Sequence, residues 1–151
     1  FVILDWKTNK DGLHFTSGFY RKDKKAKPVQ LTNEWCNTHE MMLPPFGHLE
    51  NCNGNHYTIQ LSTYARMVEM ILNIPCYGLG LCHIQTPFVK NQYGMPLRDK
   101  RGMYEIDKNG KEVVTWYHIK YIRNEIDAMF QDRRIYLNSK GLLNKQTKIQ
   151  W

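Results

Sequence analysis

The chain opens on an apolar run, Phe1-Val2-Ile3-Leu4, that leads into Asp5-Trp6-Lys7. So dense a row of strand formers predicts a buried β-strand over residues 1–8. Residues 9–30 lose the apolar pattern and carry the charge run Arg21-Lys22-Asp23-Lys24-Lys25-Ala26-Lys27-Pro28, which reads as a loop or solvated excursion. Residues 31–55 read as irregular, with turn signals at Pro44-Pro45 and Asn51-Cys52-Asn53-Gly54-Asn55. Over residues 56–73, Tyr57, Leu61, Tyr64, Val68, Ile71 and Leu72 recur at the helical period, and Pro75 supplies a stop. Asn55 is placed to N-cap this helix. Cys76 to Gln85 then alternates small and large residues, as a strand does.

Strand, helix and strand in that order predict a βαβ crossover and an α/β fold. The unusual part is a long insertion, about residues 10–55, ahead of the helix. After a polar connection over 88–101, Met103-Tyr104-Glu105-Ile106 and Val113-Val114-Thr115-Trp116 flank an Asn109-Gly110 turn, which predicts a hairpin. Tyr117 to about Arg133 reads as an amphipathic helix with Ile119, Ile122, Ile126, Met129 and Phe130 as its stripe. The tail from Ile135 to Trp151 is basic and has no period. The expected organisation is a core over residues 1–90, with a hairpin-plus-helix appendage over 91–151 in the same domain. Because the chain opens mid-strand without an initiator Met, it is expected to be the C-terminal part of something longer.

Composition narrows the function class. The 151 residues are 42% apolar, enough to bury one core, and carry a formal charge of +7. A pI near 9.2 points to a polyanionic partner. No run of 18 apolar residues marks a transmembrane helix, and no signal peptide is visible. The four cysteines form no dense disulfide framework, so free thiols in a reducing compartment are expected. The Asn-, Lys-, Ile- and Tyr-rich style points to an AT-rich genome, and to the cytoplasm of a bacterial cell or a phage-infected host.

Two short patterns carry candidate chemistry. Side chains alternate along a strand, so Asp5 and Lys7 share a face and Trp6 takes the other. A carboxylate and an ammonium side by side can hold a divalent cation and a phosphate oxygen together. On the predicted helix, Gln60 and Tyr64 stand at i and i+4, on one face.

This order, a strand with Asp5-x-Lys7, a helix with Gln60-x-x-x-Tyr64 and the apolar strand Gly78-Leu79-Gly80-Leu81-Cys82-His83-Ile84, resembles the PD-(D/E)xK nucleases of the RecB-like exonuclease branch. The resemblance covers roughly residues 1–86 without the insertion. It implies a partial restriction-endonuclease-like core and metal-dependent hydrolysis of DNA phosphodiesters. Asp5, with the Trp6 backbone carbonyl, would bind Mg²⁺ or Mn²⁺. Lys7 would orient the attacking water or stabilise charge on the phosphate. Gln60 and Tyr64 would position the site and the DNA strand. The family carries a second acidic ligand on a strand upstream of this one, so the resemblance also implies that this stretch alone holds an incomplete site. A helicase, or the missing N-terminal half, would be a partner.

Other readings compete. Cys36, His39, His48 and Cys52 have spacing compatible with zinc in the insertion, yet no C-x-x-C occurs. Some RecB-like nucleases hold an iron–sulfur cluster with four cysteines, three of them after the core. Here only Cys82 lies late, which argues against one. His83 reads as a satisfied core or edge histidine. Trp35, Trp116 and Trp151 would stack bases or be buried. Lys140, Lys145 and Lys148 would touch phosphates or be solvated. A non-catalytic nucleic-acid-binding module and a viral structural or assembly protein remain the rival functions.

Overall fold

The computed structural model describes residues 1–8 and 12–143. A parallel pair lies at its centre. Strand β1 (Val2–Lys7) pairs with β4 (Gly78–Gln85), so that Asp5 lies beside Leu81 and Lys7 beside His83. Helix α1 (Asn53–Leu72) lies between them in sequence, and the predicted βαβ crossover is present. The molecule is therefore mixed α/β, with five strands and two helices among the described residues.

The third strand of this sheet departs from expectation. β5 (Val113–Ile119) pairs antiparallel with β4 rather than with residues 103–106. The turn there is centred on Lys108-Asn109 rather than on Asn109-Gly110, with the Gly110 N–H donating to the Asp107 carbonyl at 3.2 Å. It follows an irregular ladder over residues 87–107, in which Phe88 bridges Ile106 and Arg98 bridges Tyr104. The predicted hairpin is therefore corrected. Val113-Val114-Thr115-Trp116-Tyr117-His118-Ile119 is a β-rich run, and β4 offers it a full-length partner, which the four-residue segment 103–106 does not. Extending β5 to Ile119 also delays the last helix, α2, to Arg123–Ser139.

The insertion is less irregular than its sequence predicts. β2 (Gly18–Asp23) and β3 (Gln30–Asn37) form a two-stranded antiparallel sheet. The charge run predicted as loop contributes β2 up to Asp23, and the turn spans Lys24 to Val29.

The core sits between α1 and one face of the three-stranded sheet. Leu61 and Ala65 of α1 meet Leu79, Leu81 and Ile119, with Ile3 and Phe1 against them. α1 begins three residues earlier than predicted, with Cys52 at the N-cap position and no side-chain cap. Asn55 is buried inside the first turn, where its amide donates to the Glu50 carbonyl at 2.9 Å. The buried face of α1 runs through Gly54, Thr58, Leu61, Ser62, Ala65 and Glu69, while Tyr64, Ile71 and Leu72 of the predicted stripe are exposed. The small residues on that face sit against other parts of the chain: a Cβ on Gly54 would come within 2.5 Å of the His14 carbonyl. Ser62 accepts from the Ile122 N–H at 3.3 Å and so links α1 to the start of α2.

The opposite face of the sheet carries Val2, Leu4, Trp6, Val114 and Trp116, all exposed, so β1 is buried on one side only. The Trp6 and Trp116 rings meet edge to face at 5.5 Å. No helix among the described residues is long and apolar enough to cross a membrane.

Candidate active site

The four motif residues meet. β1 carries Asp5 and Lys7 on the face turned toward α1, and α1 crosses that face with Gln60 and Tyr64 one turn apart. The Lys7 ammonium lies 2.8 Å from Asp5 Oδ2 and donates to Gln60 Oε1 at 3.1 Å. Gln60 Nε2 in turn donates to the Tyr64 hydroxyl at 2.8 Å. Lys7 also sits over the Tyr57 ring, 4.3 Å from its centroid. The local strand geometry and the helix pitch were readable in sequence; the crossover that stacks one on the other is tertiary.

The chain of contacts has a direction. Lysine has donors only, so it selects the carbonyl end of the Gln60 amide. That leaves the amide NH₂ to face Tyr64, whose hydroxyl accepts and keeps its own proton for a further partner. Tyr64 is 46% exposed. The Lys7 side chain is only 17% exposed. Its charge is thus held in place by a carboxylate, an amide oxygen and a ring face.

Asp5 uses its two oxygens differently. Oδ1 accepts from the Trp6 N–H at 2.8 Å. Oδ2 is out of contact with solvent and accepts no well-formed hydrogen bond from the described residues; its partner is the ion contact with Lys7. The Lys7 ammonium already gives that oxygen a cation, so a metal ion there would share it with Lys7. Mg²⁺ commonly takes one or two carboxylates and completes its shell with waters and substrate phosphates. Asp5, with the Trp6 carbonyl, meets the lower limit of that set. Among the described residues no three His, Cys, Asp or Glu side chains converge on one point.

Two residues at the site were not assigned to it from sequence. Tyr57 read only as part of the helix stripe, yet its position three residues before Gln60 puts it on the same helix face. His83 is buried at 3% exposure, beside Lys7 in the parallel pair. It lines a cleft of about 530 Å³ with Gln85, Thr115, Tyr117, His14 and Tyr20. The cleft therefore opens one strand away from Lys7.

The remaining candidates are scattered. His39 Nδ1 lies 3.4 Å from Glu50, and His48 Nε2 lies 3.3 Å from Glu125. Cys36 is on β3 and Cys52 precedes α1. Cys82 is buried in β4, and all four cysteines are free thiols. Trp35 is stacked against His14, with ring centroids 4.1 Å apart, and Trp116 lies on the open sheet face. Lys140 lies just past the end of α2, and its ammonium sits over the Tyr136 ring. Lys145, Lys148 and Trp151 lie outside the described residues.

No protein-family model matches this chain, and neither the curated proteins nor the solved structures provide a match.

Proposed function

We propose that the chain carries the lysine-bearing part of a metal-dependent DNA nuclease site of the PD-(D/E)xK, RecB-like kind. The single observation that carries this reading is the continuous contact chain Asp5–Lys7–Gln60–Tyr64, which joins two separately recognisable patterns across a βαβ crossover. Either pattern alone is common; a strand pair and a helix pair that fit one another in space are not expected of coincidence.

The chemistry assigned to each residue rests on its contacts. The Lys7 charge is held fixed, so it can stabilise negative charge developing on a phosphate without reorganising. Gln60 holds Lys7 in place and passes the polarity on. The Tyr64 hydroxyl accepts from Gln60 and keeps its own proton, which a phosphate oxygen of the strand would accept. Asp5, with the Trp6 carbonyl, would hold Mg²⁺ or Mn²⁺, which when bound neutralises phosphate charge. A basic chain of net charge +7 is suited to the DNA polyanion.

The test is cleavage of labelled linear single- and double-stranded DNA with Mg²⁺, with Mn²⁺ and with EDTA. The chain joined to the upstream acidic half that the resemblance implies should cleave only with metal, and Asp5→Asn and Lys7→Met should each slow cleavage by about 100-fold or more. Metal-dependent cleavage that survives both substitutions would place the activity elsewhere.

A second reading, a non-catalytic nucleic-acid-binding module, is favoured by one observation: among the described residues no three His, Cys, Asp or Glu side chains converge at the site. It expects DNA binding that is steep in salt, with no cleavage under any metal.

A further inference from the structure

The insertion hairpin walls a second cleft, of about 760 Å³, that has no part in the site above. Arg21, Lys22, Lys24 and Arg98 line it, and no Asp or Glu does. Arg21 pairs with Glu34 at 2.9 Å. The other three charges are not neutralised. Arg98 donates only to uncharged oxygens, the Gly102 carbonyl at 3.0 Å and the Tyr104 hydroxyl at 2.6 Å. Lys22 and Lys24 are exposed, and neither has a carboxylate within ion-pairing distance among the described residues. The nearby Asp23 carboxylate is already engaged: it accepts from the Lys25 N–H at 2.9 Å and the Tyr93 hydroxyl at 3.0 Å.

Aromatic surface is interleaved with these charges. Phe19, 57% exposed, and Tyr20 line the cleft beside Trp35. Trp35 is held by the stacked His14 and by the edge of Tyr20 at 4.9 Å. Its indole N–H is buried and has no acceptor among the described residues. The platform is rigidly placed, because Asn91 Nδ2 donates to the Leu31 carbonyl at 2.8 Å and Tyr93 holds Asp23. His14, Tyr20 and Leu31 also line the cleft beside His83, so the two recesses adjoin.

We infer that the β2–β3 hairpin is a binding groove for single-stranded nucleic acid. A base stacks on the exposed Phe19, with Tyr20 packed against Trp35 and His14 on the other face of β2, while Lys22, Lys24 and Arg98 face phosphates, the combination that holds unpaired strands without reading sequence. A duplex hides its base faces and cannot use the aromatic wall. The adjoining clefts lead the strand from the hairpin toward His83 and, beyond it, Lys7. That last assignment, delivery of the strand to Lys7, rests on the nuclease reading; the binding itself does not.

The experiment is fluorescence anisotropy of the full chain in EDTA with a labelled oligothymidylate of about 16 nucleotides, against a duplex of the same length. The single strand should bind at least about tenfold tighter than the duplex. Lys22→Glu with Lys24→Glu should weaken it by about tenfold or more and lower the slope of log affinity against log salt by about 1.4, two phosphates' worth. Phe19→Ala should weaken it by about fivefold or more with the salt slope unchanged. Circular dichroism confirms that these surface variants fold. Equal binding of duplex and single strand, or native affinity in both variants, would overturn the groove. Because metal is absent, groove binding by the chain with no metal-dependent cleavage by the chain joined to its upstream half would sink the nuclease reading alone. Cleavage lost in Asp5→Asn, with strand binding indifferent to Phe19, Lys22 and Lys24, would sink the groove alone.

Discussion

The Lys7 ammonium on β1 donates to Gln60 Oε1 on α1 at 3.1 Å, across 53 residues of chain. Since Gln60 acts by holding Lys7, removing it should matter only while Lys7 is present. Gln60→Leu is expected to slow DNA cleavage by about 10- to 100-fold, and Lys7→Met by more, on the scale of lost electrostatic contacts at phosphate. The double variant should be no slower than Lys7→Met, a non-additivity diagnostic of contact. Initial cleavage rates of the four proteins decide the matter: additive losses would mean that the two residues act independently.

Glu69 joins α1 to the rest of the molecule. It is buried, and it accepts from the Cys76 N–H at 3.0 Å and the Tyr121 hydroxyl at 2.9 Å, with the Arg66 and Arg123 guanidiniums at 3.4 and 3.5 Å. Arg66 continues to Asp127 of α2. Glu69→Ala leaves two cations and a phenol without their common partner. It should lower the unfolding free energy by about 2–4 kcal/mol, read by urea denaturation. A loss no larger than that of an exposed ion pair, under about 1 kcal/mol, would mean the cluster is not structural.

Acid should destabilise the protein in part through Glu69 and Glu50. Burial alone would raise the Glu69 pKa, but the Cys76 N–H, the Tyr121 hydroxyl and the two arginines outweigh it and hold it below its ordinary value of 4.5. Glu50 is also held below 4.5, chiefly by the hydrogen bond from the Ser17 N–H at 2.6 Å. Both native pKa values are depressed, so the stabilisation is complete above about pH 4.5 and is lost as pH falls through the lower native values. Melting temperature measured against pH should fall steeply below about pH 4.5, and more gently in Glu69→Gln and Glu50→Gln. A profile in the variants that tracks the native one would clear these two residues.

Gly54, in the first turn of α1, donates its N–H to the His14 carbonyl at 2.9 Å. A Cβ there would come within 2.5 Å of that oxygen, which is backbone and has no rotamer to retreat into. Gly54→Ala should therefore destabilise by about 1–3 kcal/mol, although alanine is the better helix former. Chemical denaturation checks it, and a neutral or stabilising result would mean that the loop before Ser17 yields.

The candidate site was legible because its parts are local. Alternation along β1 alone puts Asp5 and Lys7 on one face, and helical pitch alone puts Gln60 and Tyr64 on another. The contact between the pairs needed the parallel register of β1 and β4 and the seating of α1. Tyr57 was overlooked because a tyrosine at helical spacing looks the same whether it packs in a core or lies beneath a cation. The helix stripe was misread for a related reason: Leu72 and Ile71 fit the period better than Gly54, Thr58 and Ser62. Yet the small residues are buried, because Gly54 lies against the His14 carbonyl and Ser62 against the start of α2.

By itself the sequence determined the elements that carry strong local signals: the α1 helix, the strands on either side of it and the two chemical pairs. Their period and turn chemistry act over a few residues and need no partner. Tertiary structure alone decided the partnerships. Val113–Ile119 joined β4 instead of its sequence neighbour, and the polar, basic insertion folded into a hairpin. A strand's choice of partner depends on which full-length edge is free when the sheet assembles, and that is a property of the whole chain rather than of any window within it.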